Sequence, residues 1–205
     1  CGYHGWHDWY LSANLESSHT LNEHLLPGLN PNGVPQKLKG LTLTIRYNSF
    51  EDLKLLDEDK NIGVLIMEVM RSEEPKPGYL EAIREKCTKN GIVLIFDECT
   101  SGFRETYGGL HLKFGITPDL ATFGKALGNG YAITALIGID EIMEYANKTF
   151  ISSTFWTERI GFVAGLETLS EMKRLKSWEI ITNIGKEMQN IWKNIFSKYG
   201  YEINV

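Results

Sequence analysis

Short β-branched apolar runs alternate with helical patterns along this chain, and that alternation narrows the possible folds more than any other feature. Runs with strand character lie at Leu41–Tyr47, Ile62–Val69, Gly91–Phe96, Leu120–Phe123 and Ala132–Ile137. Between them, Ser49 and Asp52 have the spacing of a helix start, with Leu53, Leu55 and Leu56 following. Pro77–Gly78 opens another helix, on which Leu80, Ile83 and Cys87 share a face and Asn90–Gly91 forms the stop. Two longer patterns come last: Ile160 through Leu175, then Ile181 through Ile195, both at helical spacing and both expected to act as packing elements. A repeat of roughly 25 to 30 residues is the length of a strand–helix–strand unit. The expectation is an α/β fold: a mostly parallel mixed sheet flanked by helices on both faces. Ligands of such sheets sit at the carboxyl ends of the strands, so the residues there are the ones to examine.

The chain has 205 residues, 42% of them hydrophobic, which suffices for one sizeable core. Its formal net charge is -5 and its Lys and Arg residues form no cluster, which argues against nucleic acid as a partner. Cys1, Cys87 and Cys99 are odd in number and share no C-x-x-C spacing, as expected of a reducing, cytoplasmic setting. The apolar runs are far shorter than a membrane span. The chain opens on Cys1 and a dense aromatic and histidine cluster, and closes just after a helix stop; both ends read as cuts in a longer chain.

The run Gly91-Ile92-Val93-Leu94-Ile95-Phe96-Asp97-Glu98 carries a carboxylate out of a buried strand. Such a group needs a partner. A simple ion pair or cap is one reading. A Mg²⁺-holding nucleotide site is another, but it requires an upstream G-x-x-x-x-G-K-[ST] loop. Gly124-Lys125 and Gly185-Lys186 are the Gly-Lys pairs, and each lacks both the earlier glycine and the following hydroxyl residue. The third reading looks further along. Cys99 lies two residues past Asp97, on the same face if the chain stays extended. Lys125 follows another strand, inside the Gly-rich turn Gly124-Lys125-Ala126-Leu127-Gly128-Asn129-Gly130. Glycines let backbone close around a ligand, and a lysine beside a cationic ring loses its proton readily enough to form an imine. An Asp for a pyridinium nitrogen and a Lys for an aldehyde is the pair that pyridoxal 5'-phosphate needs.

With these residues in view, the chain resembles the class III aminotransferases of the fold-type-I group, near the glutamate-1-semialdehyde aminomutase-like branch. The resemblance rests on Tyr3-His4-Gly5, Glu68, Phe96-Asp97-Glu98 with Ser101-Gly102-Phe103-Arg104, Thr117-Pro118-Asp119-Leu120 leading to Gly124-Lys125, and Thr154-Phe155. It implies that residues 1–205 are part of the cofactor-binding large domain, with the phosphate turn upstream and a small domain downstream. Lys125 would form the Schiff base with pyridoxal 5'-phosphate and then serve as the base. Asp97 would hold the ring nitrogen, Tyr3 and Cys99 would lie on the two faces of the ring, and Glu68 would stand on the substrate side. Thr154 would reach the phosphate in a neighbouring subunit, which implies a homodimer with a shared active site.

The implied reaction moves an amino group between a small-molecule amino donor and a carbonyl acceptor. An intramolecular aminomutase using the same residues and a noncatalytic fragment are the alternatives. Departures from the family pattern include Val69 after the glutamate, Cys99 for an aliphatic residue, and Trp156-Thr157-Glu158-Arg159 after Thr-Phe. His4, His7 and Asp8 lack the second cluster that a metal centre needs, so no metal is expected.

Overall fold

The computed structural model describes residues 3–5, 7–17, 19–22 and 28–203. Its helices are α1 (His7–Leu11), α2 (Leu55–Glu58), α3 (Tyr79–Asn90), α4 (His111–Phe114), α5 (Asp140–Met143), α6 (Arg159–Leu175) and α7 (Ser177–Lys198). Four apolar segments, β1 (Val64–Met67), β2 (Val93–Asp97), β3 (Leu120–Phe123) and β4 (Ala135–Gly138), form one sheet in the order β1-β2-β3-β4. β1, β2 and β3 are parallel, and β4 closes the sheet antiparallel to β3. This is the mostly parallel mixed sheet the alternation implies.

Register decides which side chains share a face. Leu65 pairs with Leu94, Phe96 with Ala121 and Asp97 with Thr122. Partners in register point the same way and neighbours along a strand point opposite ways. Leu65, Leu94, Phe96, Ala121 and Phe123 therefore form one face, and Ile66, Ile95, Asp97 and Thr122 the other. The first face is the core: α2 and α3 bring Leu56, Leu80, Ile83 and Cys87 against Leu65, Leu94 and Phe96, all buried. A second cluster of Ala121, Phe123 and Leu127 continues it toward α6. The opposite face is half-open, with Val64 54% and Ile66 41% exposed. Cover on both faces, expected from the sequence, is thus realised on one face among the described residues.

The Leu41–Tyr47 run forms no strand. A strand needs a ladder partner, and the sheet pairs β1 with β2 alone. Residues 41–47 are held by side chains instead. Tyr47 Oη donates to the Val69 carbonyl at 2.6 Å, and the Arg46 guanidinium grips Asp52. Ile45 and Tyr47 pack on the core while Leu41 and Leu43 face out. Only the second half of the alternating run therefore lies on the core.

The helix signals fare better. Ser49 Oγ accepts from the Asp52 amide at 3.2 Å and donates to the Asp52 carboxylate at 2.8 Å, which caps the turn leading into α2. Gly91 ends α3 with φ 67°, a left-handed conformation that glycine adopts without a steric cost. On α6 Leu169 packs against the Phe123 and Leu127 cluster, while Ile160, Val163 and Leu166 of α6 and Ile181, Ile184, Ile191 and Ile195 of α7 are exposed. α6 also seats through the buried Gly161, whose missing Cβ lets the helix close on the Ala132 carbonyl and Ile133. Among the described residues, no helix is long and apolar enough to cross a membrane.

Candidate active site

Asp97 is the last residue of β2 and points to the half-open face of the sheet. His4 Nδ1 lies 2.8 Å from Asp97 Oδ2, while Asp97 Oδ1 accepts from the Cys99 amide at 3.0 Å and the Thr122 hydroxyl at 3.2 Å. Burial works to raise the pKa of this carboxyl. The bond with His4 and the Cys99 amide outweigh it and hold the pKa at about 2. Asp97 is therefore an ionised carboxylate on a partly sheltered surface.

That shift makes stability depend on pH. A carboxyl whose folded pKa lies below its unfolded value near 4 contributes stability above about pH 4, and the contribution disappears as pH falls toward 2. Full development of the shift corresponds to a contribution on the order of 2 kcal/mol. Substituting His4→Ala in the full-length protein is expected to return Asp97 toward its ordinary value and move the acid-unfolding midpoint upward. Far-ultraviolet circular dichroism against pH reads this directly; an unmoved midpoint would show that His4 does not hold the carboxylate.

Lys125 follows β3 by two residues. Its φ of 40° is unusual for a side-chain-bearing residue and costs on the order of 1 kcal/mol or more, a strain that concentrates at functional positions. Its Nζ donates to Thr100 Oγ1 at 3.1 Å. Thr100 stands in the turn after β2, so the ends of the adjacent parallel strands β2 and β3 bring the Asp97 and Lys125 segments together. This is the crevice that an open parallel sheet offers a ligand.

Cys99 does not continue the strand; it sits in the turn. It still meets Asp97, because its own amide donates to that carboxylate and its Sγ lies 3.8 Å from Thr122 Oγ1. Burial pushes the Cys99 thiol up, so the group behaves as a small apolar surface. A Cβ at Gly124 would rest 3.4 Å from that sulfur, in van der Waals contact with it.

The remaining expected residues are placed less closely. Glu68 follows β1 at the same end of the sheet, is buried, and meets Arg71 at 3.4 Å. Tyr3 is next to His4 and 41% exposed. Thr154 lies on an exposed stretch ahead of α6, and no hydrogen bond among the described residues ties it to Asp97 or Lys125. The side chains of His7 and Asp8 lie outside the described residues. No group of three His, Cys, Asp or Glu residues able to hold a metal occurs among those described.

Sequence reasoning missed several members of the site. His4 was read only within a motif and as a weak metal candidate, and it proves to be the anchor of Asp97. Thr122 was not singled out, although a hydroxyl residue ending a strand beside β2 is a signal that register would have exposed. On the opposite face of the sheet, His111 pairs with Glu98 at 2.8 Å, a contact that sequence spacing does not show.

The family model described as Aminotransferase class-III matches residues 1–204. A 3-aminobutyryl-CoA aminotransferase of Cloacimonas acidaminovorans is 36% identical over 212 residues, covering 99% of this chain and 47% of that protein. The structure of the FumI protein of Sphingopyxis sp. MTA144, in its PLP internal aldimine form, superposes with a TM-score of 0.78 at 21% identity, covering 94% of this chain and 50% of the other. An omega-transaminase from Sphaerobacter thermophilus gives 0.70 at 26% identity, with 83% and 42% covered. The chain spans about half the length of these relatives.

Proposed function

The chain belongs to the class-III aminotransferase family, and from that premise we propose that it is the cofactor-binding large-domain part of a pyridoxal-phosphate-dependent aminotransferase in which Lys125 is the reactive amine. The observation that carries this reading is the pairing across β2 and β3. An ionised Asp97 stands at one strand end, and a lysine on strained backbone follows the next. This donor set fits a flat cofactor with a protonated ring nitrogen on one side and an aldehyde on the other.

When bound, pyridoxal 5'-phosphate supplies an aldehyde that condenses with amines and a ring that delocalises the electron pair left by deprotonation. Asp97 would hold the proton on the ring nitrogen, and its bonds with His4, Thr122 and the Cys99 amide keep its charge and orientation fixed. Lys125 Nζ would be the amine that holds the aldehyde and, once released, the base that moves the substrate proton. Thr100 Oγ1 orients Nζ between these tasks.

The substrates of this reading are a small-molecule amino donor and a carbonyl acceptor. Tyr3 and Cys99 would shelter the two ring faces, and Glu68 would face the substrate side. We also infer a cytoplasmic homodimer. Phe150, Ile151, Phe155, Trp156 and Ile160 are all exposed around Thr154, with Phe150 at 93%, an apolar patch that suits a second subunit and puts Thr154 at its border. Cys87 and Cys99 are free thiols, which agrees with a reducing compartment.

The test is incubation of the full-length protein with pyridoxal 5'-phosphate followed by borohydride reduction and peptide mapping. The expected outcome is one pyridoxyl group per chain, on Lys125. Incorporation spread over surface lysines, or none on the peptide holding residue 125, overturns the reading.

A further inference from the structure

Glu98 follows Asp97 directly, and strand alternation sends its side chain to the opposite, buried face of the sheet. There its exposure is 0%. A carboxylate without solvent requires donors, and three are present. The His111 amide donates to Oε1 at 3.0 Å, His111 Nδ1 bonds the same oxygen at 2.8 Å, and the Ser101 hydroxyl donates to Oε2. The main chain of Glu98 adds two more bonds: its amide donates to Thr122 O at 2.9 Å and its carbonyl accepts from Gly102 at 2.8 Å. Both ends of the loop from 98 to 111 are thus closed on one residue.

The loop is wound tightly around that carboxylate. Phe103 has φ 60°, an outlier for a bulky side chain. A Cβ on Gly102 would come 2.7 Å from Glu98 O and 2.8 Å from the Phe123 ring. One on Gly109 would collide with the His111 ring and approach Glu98 Oε1 at 2.8 Å. Backbone held in such conformations persists only where the surroundings over-determine it, and it gathers at functional sites. The near end of this loop presents Thr100, the hydroxyl that holds Lys125 Nζ.

We propose that Glu98 and His111 are positioning residues for Lys125: their buried pair holds the 98–111 loop in the one form that sets Thr100 against the reactive amine. The relevance of that amine rests on the function proposed above. The linkage itself is a property of the chain and is testable without cofactor.

The test is a double-mutant cycle read on Lys125 in cofactor-free full-length protein. A neutral acylating reagent, N-hydroxysuccinimidyl acetate, labels lysines, and peptide mass spectrometry compares Lys125 with exposed Lys54. Losing one hydrogen bond in Thr100→Val should speed Lys125 labelling about 2- to 10-fold. His111→Ala should give a similar rise, and the double variant no more than Thr100→Val alone. His111→Gln, which keeps a side-chain donor, should stay near the native rate. Ser101→Ala removes only one donor and serves if His111→Ala fails to fold; its smaller rise should also vanish in the Thr100→Val background. Rates that multiply independently, or single variants that leave Lys125 at its native rate, overturn the proposal. Repeating the series with pyridoxal 5'-phosphate and borohydride separates the two readings. Coupled acylation with no pyridoxyl group on Lys125 in any variant leaves the positioning role standing and removes the cofactor reading.

Discussion

Replacing Lys125 with Ala in the full-length protein is expected to abolish the visible absorbance of bound pyridoxal 5'-phosphate and to lower turnover by at least about 10²- to 10⁴-fold, the range for a lost acid–base group. The effect is large because, in the proposed role, one nitrogen would perform two tasks, holding the aldehyde and carrying the substrate proton. Lys125→Arg is the informative companion. It keeps the positive charge and, with it, any purely electrostatic role, but its guanidinium stays protonated and does not condense with an aldehyde. Both variants should therefore lose the visible band, while an electrostatic role alone would be restored by arginine. A band that survives in Lys125→Ala would remove this residue from the site. Because Lys125 already holds a left-handed backbone conformation, the Ala variant keeps the same backbone strain, and thermal unfolding should change little.

Asp97→Asn is expected to leave cofactor binding measurable while lowering kcat by roughly 10²- to 10⁴-fold, as for removal of a preorganised charge. The amide keeps the shape and offers an oxygen to Thr122 and the Cys99 amide, but it carries no charge to stabilise a protonated ring nitrogen. Substrate contacts are untouched, so KM should move far less than kcat. The same variant removes a carboxylate whose pKa is held at about 2, and so it should also remove the part of acid unfolding that this group causes between about pH 4 and pH 2. Steady-state kinetics and an acid titration on one preparation read both effects. A kcat within tenfold of the native value would mean that Asp97 is a strand-end anchor and no more.

Much of this site was legible along the chain. Asp97 announces itself as a carboxylate at the end of a continuous apolar run, and Lys125 as a lysine inside glycines just past another strand. The Ser49–Asp52 turn ahead of α2 and the stop of α3 at Gly91 follow from local chemistry that acts over three or four residues. What failed to show were contacts between distant segments. His4 and Asp97 are 93 residues apart in sequence, and His111 reaches Glu98 only because its loop folds back over the core. The Leu41–Tyr47 run has the alternation of a strand, yet it forms no ladder although β1 is an edge strand, and alternation carries no information about pairing.

The alternation of strand and helix patterns, the apolar β2 run and the glycine-bounded lysine are local properties, set by backbone propensity and side-chain spacing. By themselves they determine an α/β sheet with Asp97 and Lys125 near its carboxyl edge. Which face each side chain takes, and what holds it there, is decided by strand order and register. Register placed Asp97 beside Thr122 on the half-open face, and alternation then drove Glu98 into the core, where a buried charge had to find His111 and Ser101. A hydrogen bond acts over about 3 Å in space and is indifferent to distance along the chain, so these partners became visible only in the folded structure.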